Sequence, residues 1–267
     1  MKFEIYFPST DGSKEMIVRE EGANWFNALE NALKGGGMGH LMNNILCDVK
    51  EDGSIHVTET VSGKKFLIRE IDPNRTAAAA KAPEEAIGRT LRKRDPNEVL
   101  AAVFEEVLDG FDKPEQEGLD FFLDLAMKHI PADSGSVAIA PLAARELTFV
   151  ACRGPKAGGV KGLKLPMGQG IAGFSALNNV LIAVSDVQRD PRFFKDISEK
   201  IGYPTKSIVA SPIAYNNLTF GMIELINKTE SSSFDEDDIH ILRFVSDKIG
   251  EYLHMSWESR NNNLDDE

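Results

Sequence analysis

Two short stretches carry the residue types that can hold an anion. They are Gly168-Gln169-Gly170-Ile171 and Asp190-Pro191-Arg192-Phe193, each placed where a helix can begin. The first N–H groups of a helix have no partner within it, so they attract phosphate or carboxylate oxygens. Pro191 lacks an N–H, so the second stretch has to use Arg192 and Phe193. Nearby, Phe174, Val187 and Phe193 offer apolar surface for a planar ring. Asp186, ending a strand-like run, can accept from the N1–H and N2–H of a guanine or the N6–H of an adenine. Each has a structural alternative: the glycines make a tight turn, Phe174 and Phe193 are core, and Asp186 caps the segment after its strand. Arg153 can meet an anion or stand solvated at a strand end.

Other chemistries find less support. His40, His56, His129, His240 and His254 are scattered, with no spacing suited to a metal or a catalytic triad. No metal site, cofactor or catalytic residue is expected. Cys47 and Cys152 both lie in apolar, strand-like runs and read as buried thiols rather than a disulfide framework. The Gly35 to His40 stretch follows a helix pattern instead of opening one and lacks the GK[ST] ending of a phosphate loop.

The elements that must position these residues fall into blocks. Residues 1 to 72 read as a small α+β domain with one helix, about Ala23 to Lys34, and five strands. Residues 73 to 94 form a basic Ala- and Pro-containing linker whose second half can be a short helix. Residues 95 to 258 form a longer α/β segment, and 259 to 267 a frayed tail. Within the long segment, helices are expected at about 96 to 110 and 115 to 129, after Gly170 to Leu177, from Asp190 to about Lys200, and from Asp235 to near Ser259. Hairpin turns are expected at Asp52-Gly53, Ser62-Gly63 and Asn216-Asn217.

Over 267 residues, 42 acids against 30 bases leave a net charge of −12. Residues 1–72, 73–94 and 95–267 carry −4, +4 and −12 respectively, so a broad grip on nucleic acid or an anionic membrane is disfavoured. The N-terminus reads as a strand rather than a signal peptide, and no apolar run approaches a membrane span. A soluble, cytoplasmic protein is expected.

The run GQGIAGFSALNNVLIAVSDVQRDPRFFKDISEKIGYPTKSIVASPI, then GMIELINK, then FDEDD before the last helix, resembles the GAF domain. The likeness covers about 95 to 255 and is greatest to the GAF domains of cyclic-nucleotide phosphodiesterases and adenylyl cyclases. It implies an α+β fold: an antiparallel sheet with helices on one face and a ligand pocket on the other. It also implies that Ser207, Val209 and Glu224 line the pocket floor. The phosphodiesterase signature NK…F-x3-DE is met by Asn227-Lys228 and Asp235-Glu236, with Ser231 where the phenylalanine is expected. Lys228 and Asp235 are accordingly expected to pair as a structural clasp.

The apolar residues of the last helix (Ile239, Leu242, Ile249 and Leu253, widened by Ile241, Phe244, Val245 and Tyr252) cover more than one face. With Val99, Val103, Phe104, Val107, Leu108, Phe111, Phe121, Phe122 and Leu125 they imply, by the resemblance, a homodimer through helices 96–129 and 235–256. The alternative is packing within one chain.

The resulting expectation is a non-catalytic sensor that binds a small ligand, a cyclic nucleotide by resemblance, and relays it to an N-terminal domain with a protein partner. The alternative is a ligand-independent scaffold. The methionine sulfoxide-reducing GAF lineage uses several pocket cysteines, whereas this segment has Cys152 alone. A chromophore-bearing GAF domain would need a cysteine and a histidine within 160 to 225, which has neither.

Overall fold

The computed structural model describes residues 1–7, 16–50, 52–59, 62–71, 96–141, 144–190, 192–231 and 233–262. The expected linker, 73 to 94, and the final tail residues lie outside these.

The N-terminal part contains β1 (Lys2–Phe7), β2 (Met16–Glu21), α1 (Trp25–Gly35), a 3-10 turn (Gly39–Asn44), β3 (Ile45–Val49), β4 (Ile55–Glu59) and β5 (Lys65–Glu70). Asn24 caps α1 by accepting from the Asn27 N–H at 3.0 Å, and the helix ends at the glycine triplet, where Gly37 takes φ of +73°. Glycine also supplies positive φ at both hairpin turns, +80° at Gly53 and +68° at Gly63.

The remainder contains α2 (Pro96–Val107), α3 (Glu115–His129), β6 (Ala132–Ile139), β7 (Glu146–Arg153), a one-turn α4 (Ala157–Val160), β8 (Lys164–Pro166), α5 (Gly170–Asn178), β9 (Leu181–Val184), α6 (Lys195–Ile201), β10 (Ile208–Tyr215), β11 (Leu218–Lys228) and α7 (Glu236–Asn262). The helix expected to open at Asp190 starts five residues later. Asp186 instead caps a 3-10 turn at Val187–Arg189. No described helix is long and apolar enough to cross a membrane.

The eleven strands among the described residues form one sheet in the order β2-β1-β5-β4-β3-β9-β10-β11-β6-β7-β8. The N-terminal strands therefore do not form a sheet of their own. They extend the second sheet through a parallel pairing of β3 with β9, in which Cys47 stands opposite Ile182 and Val49 opposite Val184. The pairing gives the backbone groups of the β9 edge hydrogen-bond partners and covers an edge that would otherwise be open.

Alternation along the strands divides the core into two faces. On one face Leu181, Ala183, Val209, Ile223 and Leu225 pack under α2, α3 and α7, with Phe122, Leu242, Val245 and Ile249. Gly250 brings α7 close to β10: a Cβ there would lie 2.5 Å from the Ala214 carbonyl oxygen. On the other face Ile182, Val184, Ile208 and Ala210 join α5 residues Ile171 and Phe174 to a core shared with Phe3, Ile5, Trp25, Leu29 and Leu33. Fully burying each large aliphatic side chain contributes about 1.5–3 kcal/mol, so this shared core joins the two parts firmly.

Candidate functional site

A cavity of about 100 Å³ opens on the face opposite α2, α3 and α7. Its floor comes from β6, β7, β10 and β11, one wall from the start of α5, and its roof from a lid, residues 187–190 and 192–206, that includes α6. Gly170, Ile171, Phe193 and Glu224, all named from the sequence, line it together. So do Ser134, Ser136, Phe149, Cys152, Arg153, Lys156, Phe194, Ile197, Ile201, Tyr203 and Ile208, of which the sequence singles out only Arg153 as a ligand contact.

The floor has one acidic group. In the β11–β6 register Glu224 stands opposite Ser136, whose Oγ donates to Glu224 Oε1 at 2.8 Å. Burial in this apolar setting pushes the Glu224 carboxyl up to about 7, with the Ser136 hydrogen bond opposing the shift. Cys152 lies across β6 from Glu224. Burial, then the Glu224 charge, pushes its thiol up to about 11, so it is a protonated thiol at neutral pH. Arg153 reaches the rim, but its guanidinium is held by Asp120 at 2.7 Å and Asp124 at 2.7 Å on α3.

The lid is tied at its C-terminal end. The Ser134 hydroxyl donates to Tyr203 Oη at 2.9 Å. Asn227, with φ of +59°, accepts from the Lys206 N–H at 2.7 Å and donates to the Pro204 carbonyl at 3.0 Å. At the wall, Gly170 has φ of +70° and packs against Phe194, so the first turn of α5 sits directly beneath the lid.

Six residues named from the sequence do not line the cavity. Val209 points into the helix-side core, because its partners in the ladder, Leu225 and Ala183, face that way too. Ser207 is buried and accepts the Lys228 N–H through its Oγ. Asp186 takes its structural alternative and accepts the Gln188 N–H at 3.1 Å. Val187 and Phe174 join the core shared with the N-terminal strands. Arg192 leaves the cavity for the same neighbourhood, where it pairs with Asp190 at 2.6 Å. Burial opposes its charge, but the Asp190 hydrogen bonds hold its pKa above the ordinary value.

The expected clasp also changes partner. Lys228 Nζ binds Asp238 Oδ1 at 2.7 Å, while Asp235 caps α7 by accepting the Asp238 N–H at 3.0 Å. One turn of α7 separates the two acids, and only Asp238 projects back over the end of β11. Counted from Phe234, the F-x3-D spacing reaches Asp238, but Ile239 follows where the signature has glutamate, so each register meets the signature in part.

Comparison with known proteins agrees with this geometry. The family model for the GAF domain matches residues 114–253. Similar sequences include the cGMP-specific 3',5'-cyclic phosphodiesterases of Drosophila melanogaster and Drosophila pseudoobscura pseudoobscura, each 38% identical over 81 residues, 30% of this chain. The match spans 7% of each of those proteins. Among solved structures, the GAF domain of a phosphoenolpyruvate-protein phosphotransferase from Coxiella burnetii superposes with a TM-score of 0.56 at 15% identity, over 63% of this chain and 99% of that one. The free methionine-R-sulfoxide reductase of Neisseria meningitidis gives 0.51 at 16%, over 64% and 98%. At these identities the structural likeness is one of fold.

Proposed function

Since the chain belongs to the GAF domain family, we propose that it is a non-catalytic regulatory protein whose cavity binds a small ligand, and that this ligand is a cyclic nucleotide. The observation that carries the reading is the cavity itself: an apolar, lidded space with one acidic group in its floor and a helix N-terminus in its wall. Glu224 is placed to accept from the donor edge of a base, and the first N–H groups of α5, with Lys156 at the rim, to receive a phosphate. The names of the phosphodiesterase relatives favour the same ligand class.

A site for a drug-sized ligand typically measures about 300 Å³ or more, so a nucleotide needs the lid to move outward. That movement is the signal in this reading. It passes to α1 and, through the sheet, to α2, α3 and α7, which form a homodimer interface. The protonated Cys152, with no second cysteine in the lining, favours binding over thiol redox chemistry. The small volume favours a second reading, a scaffold whose pocket is filled by its own side chains.

Titration calorimetry of the full chain with cGMP and with cAMP separates the two. Binding of either, weakened at least about tenfold by Glu224→Gln (a lost charge-assisted hydrogen bond), is the expected outcome. Absence of heat and of any thermal shift with both nucleotides favours the scaffold.

A further inference from the structure

Arg192 and Phe193 are adjacent on the lid, and of the two only Phe193 reaches the cavity, while also packing against the core shared with the N-terminal part. Arg192 turns outward, into the N-terminal part of the molecule. Its guanidinium carbon lies 5.4 Å from the Trp25 ring centroid and 5.0 Å from that of Phe174. Asp190, itself on the lid, fixes the guanidinium plane: Nε donates to Oδ1 at 2.9 Å and Nη2 to Oδ2 at 2.6 Å. Trp25 opens α1 and is in turn packed edge-on against Phe26, with ring centroids 5.7 Å apart.

We infer that the N-terminal part of the chain gates the cavity: α1, through Trp25, grips Arg192 and holds the lid shut. The inference rests on the cavity being the ligand site, and it assigns that site its regulation. A desolvated guanidinium over an indole is among the stronger cation–π contacts. Here it joins two segments far apart in sequence, and α5 stands between them with Ile171 in the cavity wall and Phe174 under the guanidinium.

The grip is also built to release. Trp25 Nε1 and Arg192 Nη1 are buried and have no acceptor among the described residues. Opening the lid gives both donors to water, which offsets part of the lost stacking. Because the coupling is reciprocal, a partner that shifts α1 loosens the lid, and a ligand that lifts the lid withdraws Arg192 from α1.

The test needs no ligand, so its failure is distinguishable from a failure to bind nucleotide. Cys152 lies under the lid and Cys47 in the N-terminal core, both buried. In the full chain, alkylation by iodoacetamide is followed at each cysteine by peptide mass. Trp25→Ala and Arg192→Lys are each expected to speed alkylation of Cys152 about tenfold. The double variant is expected to match the faster single one, because both remove one contact. Trp25→Phe, which keeps a ring of weaker quadrupole, serves in place of Trp25→Ala if that variant does not fold. Unchanged Cys152 alkylation in both variants overturns the inference. A fall in unfolding free energy measured in urea that accounts for the whole acceleration overturns it too, since the contact would then hold the fold and not the lid.

Discussion

Lys228 Nζ lies 2.7 Å from Asp238 Oδ1, and each side chain is only 7% exposed. The pair fastens the end of β11 to the first turn of α7. Asp238 also accepts the Asp235 N–H at 2.9 Å, so one carboxylate serves the cap and the ion pair, whereas Asp235 serves the cap alone.

Lys228→Met therefore leaves a buried, uncompensated carboxylate and is expected to cost about 3–5 kcal/mol. Asp235→Ala removes one capping bond and is expected to cost about 1 kcal/mol. Urea unfolding of the two variants compares them directly. Equal losses would contradict the assignment of Asp238 as the partner.

Glu224 makes stability depend on pH. Burial raises its carboxyl from the ordinary 4.5 to about 7, so the folded chain holds that proton more tightly than the unfolded chain. Its favourable contribution is complete below 4.5 and is lost as pH rises to about 7, a change of about 3 kcal/mol. Glu224→Gln removes the dependence. The difference in unfolding free energy between variant and wild type should therefore grow in the variant's favour from pH 4.5 to 7 and level off above it. A difference that stays constant across this range would show that Glu224 is ionised throughout.

Phe104 on α2 and Leu108, in the 3-10 turn just after it, are 52% and 55% exposed, and Phe104 meets the Phe244 ring of α7 at 6.1 Å between centroids. Val103 and Val107, on the same helix, are buried within the chain. The proposed homodimer uses the exposed pair. Phe104→Glu with Leu108→Glu is expected to convert a dimer to a monomer in sedimentation equilibrium without lowering thermal stability measured at the monomer's concentration. A wild-type chain that sediments as a monomer at tens of micromolar contradicts the dimer.

Much of the fold was legible in the sequence, because it is written in local signals. The 2.0 and 3.6 periods, the glycines at Gly53 and Gly63 and the Asn216-Asn217 turn (φ of +49° and +63°) place the strands and helices close to where they lie. The site was half legible. Gly170 and Ile171 follow from the helix start, and Glu224 from its isolation in an apolar strand. Val209 was avoidable: once β10 and β11 pair as a hairpin, its ladder partner is Leu225, not Glu224, so it takes the opposite face.

Phe174, Val187 and Arg192 were not legible locally. What covers them is the N-terminal part of the chain, brought against α5 and the lid by the β3–β9 pairing, and no short-range pattern announces that contact. Phe149 and Cys152 escaped for a related reason. The ladder between β6 and β7 shifts register between Val137 and Ala138, which breaks simple alternation along the cavity floor.

The most direct measurement of the central claim is amide hydrogen exchange of the full chain with and without saturating cGMP. Ligand under the lid predicts slowed exchange in three places together: the first turn of α5 around Gly170 to Ala172, α6, and the β11 segment around Glu224. Exchange unchanged at all three, or slowed only at sites remote from the cavity, would contradict it.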